Sequence, residues 1–325
     1  MKAVICTKYG PPDVLQLSEV DKPVPKENEI LVEIKASAVT ASDIFIRSSN
    51  IPLRMRIPMR LMLGIFKPRK KIIGLVFAGR VESVGPKIKR FSPGDEVYGM
   101  TGFNLGTYAE YTCIKETDST TGCVAIKPKN ISFEEATSAV YGGSLALQFM
   151  ENGNIRANQN ILIYGASGTS GSVAVQYGKY LGANVTAVCG GKHVDFVKSL
   201  RADHVIDYTI TDSLDENLKF NFMLDSVGKM KKSKLKDNCR KALVIDGKYA
   251  SIDDGALKLS SKRLDLLSGL IEKRKIKPVI DKIYPLEEIV EAHRYVEKGH
   301  KKGGVAITIG HASLKGICDS DSSFS

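Results

Sequence analysis

From Asn160 to Lys179 the chain reads NILIYGASGTSGSVAVQYGK, and this stretch constrains the fold more than any other. Ile161, Leu162 and Ile163 make a short unbroken apolar run, which predicts a strand covered on both faces, and Gly165, Gly168 and Gly171 punctuate the residues after it. A helix is expected from about Ser170, and a second strand over Asn184–Cys189. Glycines are needed where a pyrophosphate must approach the backbone and sit on free N–H groups at a helix N-terminus, whose dipole favours negative charge. The turn Gly165, Ala166, Ser167, Gly168, Thr169, Ser170 and Gly171 is therefore read as a dinucleotide cradle. A glycine turn that serves tight packing alone is the plainer alternative, and the strand–turn–helix–strand context favours the nucleotide.

The second strand bears on which nucleotide. A site for NAD usually carries Asp or Glu about 20 residues past the glycines, to accept hydrogen bonds from the ribose hydroxyls. From Gly165 to Val194 there is no carboxylate, and the strand ends in Cys189, Gly190, Gly191, Lys192 and His193. A cation beside two glycines suits a 2′-phosphate, although Lys192 alone reads more readily as a solvated lysine at a helix start. The missing acid favours NADP(H), with Gly190 and Lys192 as its ligands.

At 325 residues with 43% hydrophobic content, the chain exceeds one ordinary domain, and two are expected. A formal charge of +11 permits attraction to nucleic acid, an anionic membrane or an anionic cofactor without selecting among them. The six cysteines, Cys6, Cys113, Cys123, Cys189, Cys239 and Cys318, lack paired short spacings, so neither a disulfide framework nor a zinc ribbon is indicated. With no signal-like or membrane-length apolar run, the cytoplasm is the expected location.

Residues 1–125 alternate short β-like runs with Gly/Pro turns and predict a β-rich domain. Helical periodicity appears over Phe133–Met150, after which strands and helices alternate to about residue 261, the pattern of a doubly wound parallel sheet. Residues 262–312 are read as a return to the first domain, and 313–325 as a flexible tail. The fold class is α/β.

The segments VTASDIFIRS, GLVFAGRVESVGPKIKRFSPGDEVYG, GTYAEY, YGGSLAL, the glycine turn, LRADHVIDYT, DSVG and AHRYVEKGHKKGGVAI occur in this order over nearly the whole chain. In them the chain resembles the medium-chain dehydrogenase/reductase superfamily, in its zinc-independent quinone oxidoreductase-like branch. The resemblance implies a GroES-like catalytic domain, an inserted Rossmann domain, an NAD(P)H site in the cleft and commonly a homodimer. Zinc-dependent relatives hold metal through a Cys three residues before an Asp, a Gly-His-Glu unit and a residue before a Gly-Gly helix. Here Thr40 precedes Asp43, Leu75 and Val76 follow Gly74, and Tyr141 precedes Gly142 and Gly143. Leu, Val and a neutral Thr do not ligate zinc. No cysteine lies between Gly99 and Tyr111, where a structural zinc lobe would stand, so no bound metal is expected.

Without a metal to polarise an alcohol, reduction is the more natural direction: hydride from NADPH to a quinone or to the β-carbon of an α,β-unsaturated carbonyl. By family position Thr40, Asp43, Tyr141 and, less directly, Tyr108 line the substrate site. Asp43 reads equally as a helix cap and Tyr141 as helix packing. Tyr208, Val227, Gly228, Tyr249, Ser251 and Lys302 are further cofactor candidates, each with an ordinary reading as a loop, turn or solvated residue. Two alternatives stand beside the reductase: a zinc-independent alcohol dehydrogenase, and a non-catalytic NADPH-binding protein whose basic face meets RNA or membrane. Nucleic acid is not expected, because aromatic RNA-binding motifs are missing. The segment Ile51–Lys71 carries seven Arg/Lys and no Asp/Glu. It is read as a basic surface insert rather than a membrane-lying helix, because prolines at 52, 58 and 68 interrupt it.

Overall fold

The structure is a computed structural model that describes residues 1–48, 57 and 60–310. Cys318, the tail and most of the first half of the basic insert lie outside the described residues. The strands are β1 (Lys2–Cys6), β2 (Leu15–Glu19), β3 (Glu29–Ala38), β4 (Val76–Val84), β5 (Glu96–Met100), β6 (Tyr111–Lys115), β7 (Cys123–Ile126), β8 (Asn160–Tyr164), β9 (Asn184–Cys189), β10 (His204–Asp207), β11 (Phe220–Asp225), β12 (Leu243–Ser251), β13 (Ile280–Pro285) and β14 (Gly304–Thr308). The helices that position the site are α1 (Ala41–Ser48), α2 (Phe133–Glu151), α3 (Thr169–Tyr180), α4 (Val194–Ser199), α5 (Lys234–Lys241), α6 (Ser261–Glu272) and α7 (Ile289–Glu297).

Five strands form an all-parallel sheet in the order β10-β9-β8-β11-β12. Strand β8 shows why its apolar run is unbroken: Ile161 and Ile163 enter one core with α2, α3 and α6, while Leu162 and Tyr164 enter a second with Leu235 and Cys239 of α5. Successive side chains point to opposite faces, and both faces are covered. The strand order reverses between β8 and β11, so the crevice outside their C-terminal ends is the topological switch point where such sheets bind ligands.

A second sheet runs β13-β14-β3-β4-β5-β7, with β6 paired to β3. Strand β14 lies antiparallel to β3, with Ala306 opposite Ala38, so the last described strands join the sheet built by the first. Helix α2 opens on a capping box: Ser132 accepts from Glu135 N–H, and Glu135 reaches back to Ser132 N–H. It then serves both cores, Ala136 and Val140 in one and Ala139, Ala146 and Leu147 in the other. Helix α6 does the same, with Leu264 and Leu267 on different sides. Tyr98 of β5 locks the contact by donating to Leu264 C=O at 2.6 Å.

Two glycines in α2 set how closely these parts meet. A Cβ on Gly142 would lie 2.5 Å from Thr169 O, and one on Gly143 would lie 2.4 Å from Leu267 Cδ2. Gly142→Ala gains about 1 kcal/mol of helix propensity, but overpacking against backbone costs about 1–3 kcal/mol. We expect a net loss in urea denaturation. A more stable G142A protein would sink this account of the α2–α3 contact.

Candidate active site

The three glycines of the turn have different work. Gly165 has φ +81°, and a Cβ there would come within 2.4 Å of Val227 Cγ2, so the turn lies directly against the turn after β11. A Cβ on Gly171 would lie 2.2 Å from Gly165 O, so α3 starts pressed onto the strand end. Gly168 is the N-cap of α3, and nothing lies closer than 3.5 Å to its notional Cβ. No side chain caps this helix. Its first-turn N–H groups are thus offered to an anion over open glycine backbone, which fits a pyrophosphate. Helix α3 starts at Thr169, one residue before the expected position.

The return segment holds this turn from the other side. Gly303 N–H donates to Ser167 O at 2.9 Å, and Thr169 Oγ1 donates to Gly303 O at 2.7 Å. Lys301, half-buried, donates to Thr169 Oγ1 and Gly303 O, both at 2.6 Å. Burial draws its ammonium down to about 8. Lys302 does not reach the turn. It is exposed, with its ammonium 5.9 Å from the Phe196 ring. Adjacent lysines in one run cannot be told apart by sequence, and the Gly168–Gly303 bridge decides which one points inward.

Across the switch point, Asp225 is fully buried and organises its turn. Oδ1 accepts from Val227 and Gly228 N–H at 3.0 and 3.1 Å, and Oδ2 accepts from Lys236 Nζ at 2.9 Å and Tyr249 Oη at 3.0 Å. Tyr249 therefore supports the turn through Asp225, and burial with this carboxylate pushes its phenol up to about 12. Gly228 has φ +91°. Ser251 is buried, with its N–H on Asp254 Oδ2 at 2.7 Å. Ser226 Oγ is buried without a partner at this crevice, a polar atom left for a ligand.

At the end of β9 the tertiary structure brings in a carboxylate from the neighbouring strand. Strand β10 runs beside β9 with Asp207 opposite Cys189, and a Cβ on Gly191 would lie 2.5 Å from Asp207 Oδ2. Asp207 lies outside the interval scanned in the sequence because the neighbouring parallel strand delivers it. Its carboxylate accepts from Thr209 Oγ1 and N–H at 2.6 and 2.8 Å, and these bonds hold its pKa below the usual range. Lys192 is exposed, and the hydroxyl of the exposed Tyr208 stands 3.0 Å from the notional Cβ of Gly190.

On the substrate side, Thr40 and Asp43 form a second capping box. Thr40 N–H donates to Asp43 Oδ2 at 2.8 Å, and Asp43 N–H to Thr40 Oγ1 at 3.3 Å. The Thr40 hydroxyl also donates to Asp43 Oδ2 at 2.6 Å, so its proton is committed inward. Asp43 is fully buried, a cap facing the interior. The hydroxyls that meet between the two parts are Ser42 and Tyr141, 2.8 Å apart across α1 and α2. Ser42 escaped sequence reasoning because a serine before an Asp on a short helix carries no periodic signal. Burial raises the Tyr141 phenol, keeping it protonated. Leu75 and Val76 are buried in the core, and among the described residues no three His, Cys, Asp or Glu side chains cluster to hold a metal.

Burial pushes the Asp43 carboxyl up to about 7, against hydrogen bonds from Thr40. The folded protein then keeps a proton that the unfolded chain loses from about pH 4. This contribution is complete below that pH and is lost as pH rises through about 7. Tyr108 faces Asp43, and His293, held down to about 3 by burial and the Arg47 cation, contributes with the opposite sign. Between pH 4 and 7, wild-type unfolding free energy should fall by a few kcal/mol relative to Asp43→Asn. Parallel pH profiles from chemical denaturation would contradict it.

Residues 26–127 match the alcohol dehydrogenase GroES-like domain, and residues 256–307 match the zinc-binding dehydrogenase family. The chain is 33% identical over 325 residues to 2-methylene-furan-3-one reductase of Solanum lycopersicum, covering 94% of this chain and 79% of that protein. It is 30% identical over 327 residues to the chloroplastic NADPH-dependent alkenal/one oxidoreductase of Arabidopsis thaliana, with the same coverage. Among solved structures, the quinone oxidoreductase from Coxiella burnetii superposes with a TM-score of 0.81 at 22% identity, covering 95% of this chain and 99% of that one. The fold, the switch-point crevice and these relatives together make this chain a member of the medium-chain dehydrogenase/reductase superfamily, quinone oxidoreductase-like branch.

Proposed function

We propose that the chain is an NADPH-dependent reductase of quinones or α,β-unsaturated carbonyls that works without zinc. The observation that carries this reading is the uncapped glycine turn, packed against the Val227 turn at the switch point and held by Gly303 and Lys301. Gly165 to Gly171 would hold the pyrophosphate, and Ser226, Val227 and Gly228 the adjoining face of the crevice. Lys192, Gly190 and Tyr208 would meet the adenosine end. When bound, NADPH supplies the hydride. The Tyr141–Ser42 pair is the hydroxyl donor available to the substrate oxygen, because Thr40 is spent on Asp43. Water supplies the final proton. The relatives named as alkenal/one oxidoreductase and 2-methylene-furan-3-one reductase support the enone class.

The five described cysteines are free thiols, which suits a reducing compartment such as the cytoplasm. A homodimer is the assembly we expect. One observation favours a second reading: Asp207 beside Gly191 is a carboxylate that could accept from a ribose hydroxyl, as NADH would need.

NADPH oxidation followed against a panel of quinones and enones, with and without chelator, tests the activity. Turnover insensitive to chelator is expected, and no turnover on any member would overturn the reading. Lys192→Ala should raise the NADPH Kd on the order of tenfold and leave NADH within about twofold. Equal effects on both cofactors would favour the Asp207 reading instead. Tyr141→Phe should lower kcat by roughly ten- to a hundredfold with unchanged cofactor affinity.

A further inference from the structure

Four buried side-chain polar atoms among the described residues lack a hydrogen-bond partner, and three of them belong to one helix pair: Asp43 Oδ1, Arg47 Nε and His293 Nδ1. All three side chains are fully buried. Asp43 and Arg47 are four apart on α1, and His293 and Glu297 are four apart on α7, so each pair shares a helix face. The two faces meet. Arg47 pairs with Glu297 and donates to Gly10 O at 2.9 Å, and its charge reaches both His293 and Tyr108. Tyr108 lies beneath, its ring edge-on to His293 at 5.7 Å and its hydroxyl 3.2 Å from His293 Nε2.

The proton positions in this cluster follow from counting donors. Tyr108 Oη has one proton and directs it to Ala38 O, at 3.4 Å, or to the neighbouring Asp43 carboxyl. With its proton on either of these, it accepts from His293 Nε2–H, which leaves Nδ1 a bare acceptor. The imidazole is neutral, consistent with burial and the Arg47 cation drawing its pKa down to about 3. The unpartnered set is then one donor, Arg47 Nε–H, one acceptor, His293 Nδ1, and Asp43 Oδ1, which accepts while the carboxyl is ionised and donates when it is protonated below about pH 7. A single water, with two protons and two lone pairs, serves either state. Buried polar atoms left bare are destabilising, and internal waters make about three hydrogen bonds to such groups.

We propose that one internal water bridges Arg47 Nε, His293 Nδ1 and Asp43 Oδ1, and that Arg47, Tyr108 and His293 are positioning residues for the capping box at Thr40 and hence for Ser42. This hydrated junction joins α1, which carries Ser42 to Tyr141, to α7, whose following residues reach the glycine turn through Lys301 and Gly303.

A high-resolution crystal structure of the unaltered protein should show an ordered water within hydrogen-bond distance of all three atoms. Nitrogen-15 spectra of the histidines should show His293 with Nε2 protonated and Nδ1 bare from neutral pH down to about pH 4. Direct side-chain contacts replacing the water, or an Nδ1–H tautomer, would overturn the proposal. The positioning part rests on the reductase reading. For it, His293→Leu should lower kcat/KM for the carbonyl substrate on the order of tenfold with the NADPH Kd within about twofold, and His293→Asn should restore most of the loss. An undiminished kcat/KM in a folded His293→Leu protein refutes that part. If the unaltered protein turns over no substrate, the reductase reading fails, and the water and tautomer decide the junction by themselves.

Discussion

Backbone-to-backbone contact at the start of α3 is the constraint on which the rest of the molecule depends. Gly171 lets α3 press on the Gly165 carbonyl, and Gly142 lets α2 press on the Thr169 carbonyl. These two approaches fix the helix N-terminus at the strand end, and with it the direction of the N–H groups that face the crevice. A methyl group at either glycine would push the elements apart by more than a packed interior yields without cost. The same helix α2 carries Tyr141 one residue earlier, so the packing that shapes the pyrophosphate cradle also sets where a substrate hydroxyl donor stands.

Polar groups buried behind the site keep that geometry from relaxing. Asp225 gathers two N–H groups, Lys236 and Tyr249, so the turn after β11 has little freedom to drift from the glycine turn. A buried pair such as Lys236–Asp225 adds little net stability against an apolar replacement, but losing either partner strands a charge. Thr40 and Asp43 do comparable work at the start of α1. In both places a buried carboxylate is occupied in holding backbone, and the groups left facing the crevice are its neighbours.

Much of the fold was legible because its signals are local. The apolar run at Ile161–Ile163, the glycine spacing and the helical periodicity over Phe133–Met150 each depend on residues close in the chain, and each formed as expected. The site was legible only in part. Lys301 and Lys302 are equivalent as sequence, and a single bridge between Gly168 and Gly303 separates them. Asp207 was out of view because parallel pairing, not chain distance, brings it to Gly191. Tyr249, a cofactor candidate in the sequence, sends its hydroxyl to Asp225, a contact that exists only because β11 and β12 pair side by side.

By itself the sequence determined the parallel nucleotide-binding sheet and the glycine turn, and it placed Leu75 and Val76, side chains without a donor atom, after Gly74. These rest on local periodicity and on the chemistry of single side chains, which no folding can change. Tertiary structure alone decided that Thr40 is bound to Asp43, that Ser42 meets Tyr141, that Lys301 clamps the turn, and that Asp43, Arg47, Tyr108 and His293 share one buried junction. These are matters of which distant residues meet, and they are set by how two sheets and their shared helix pack.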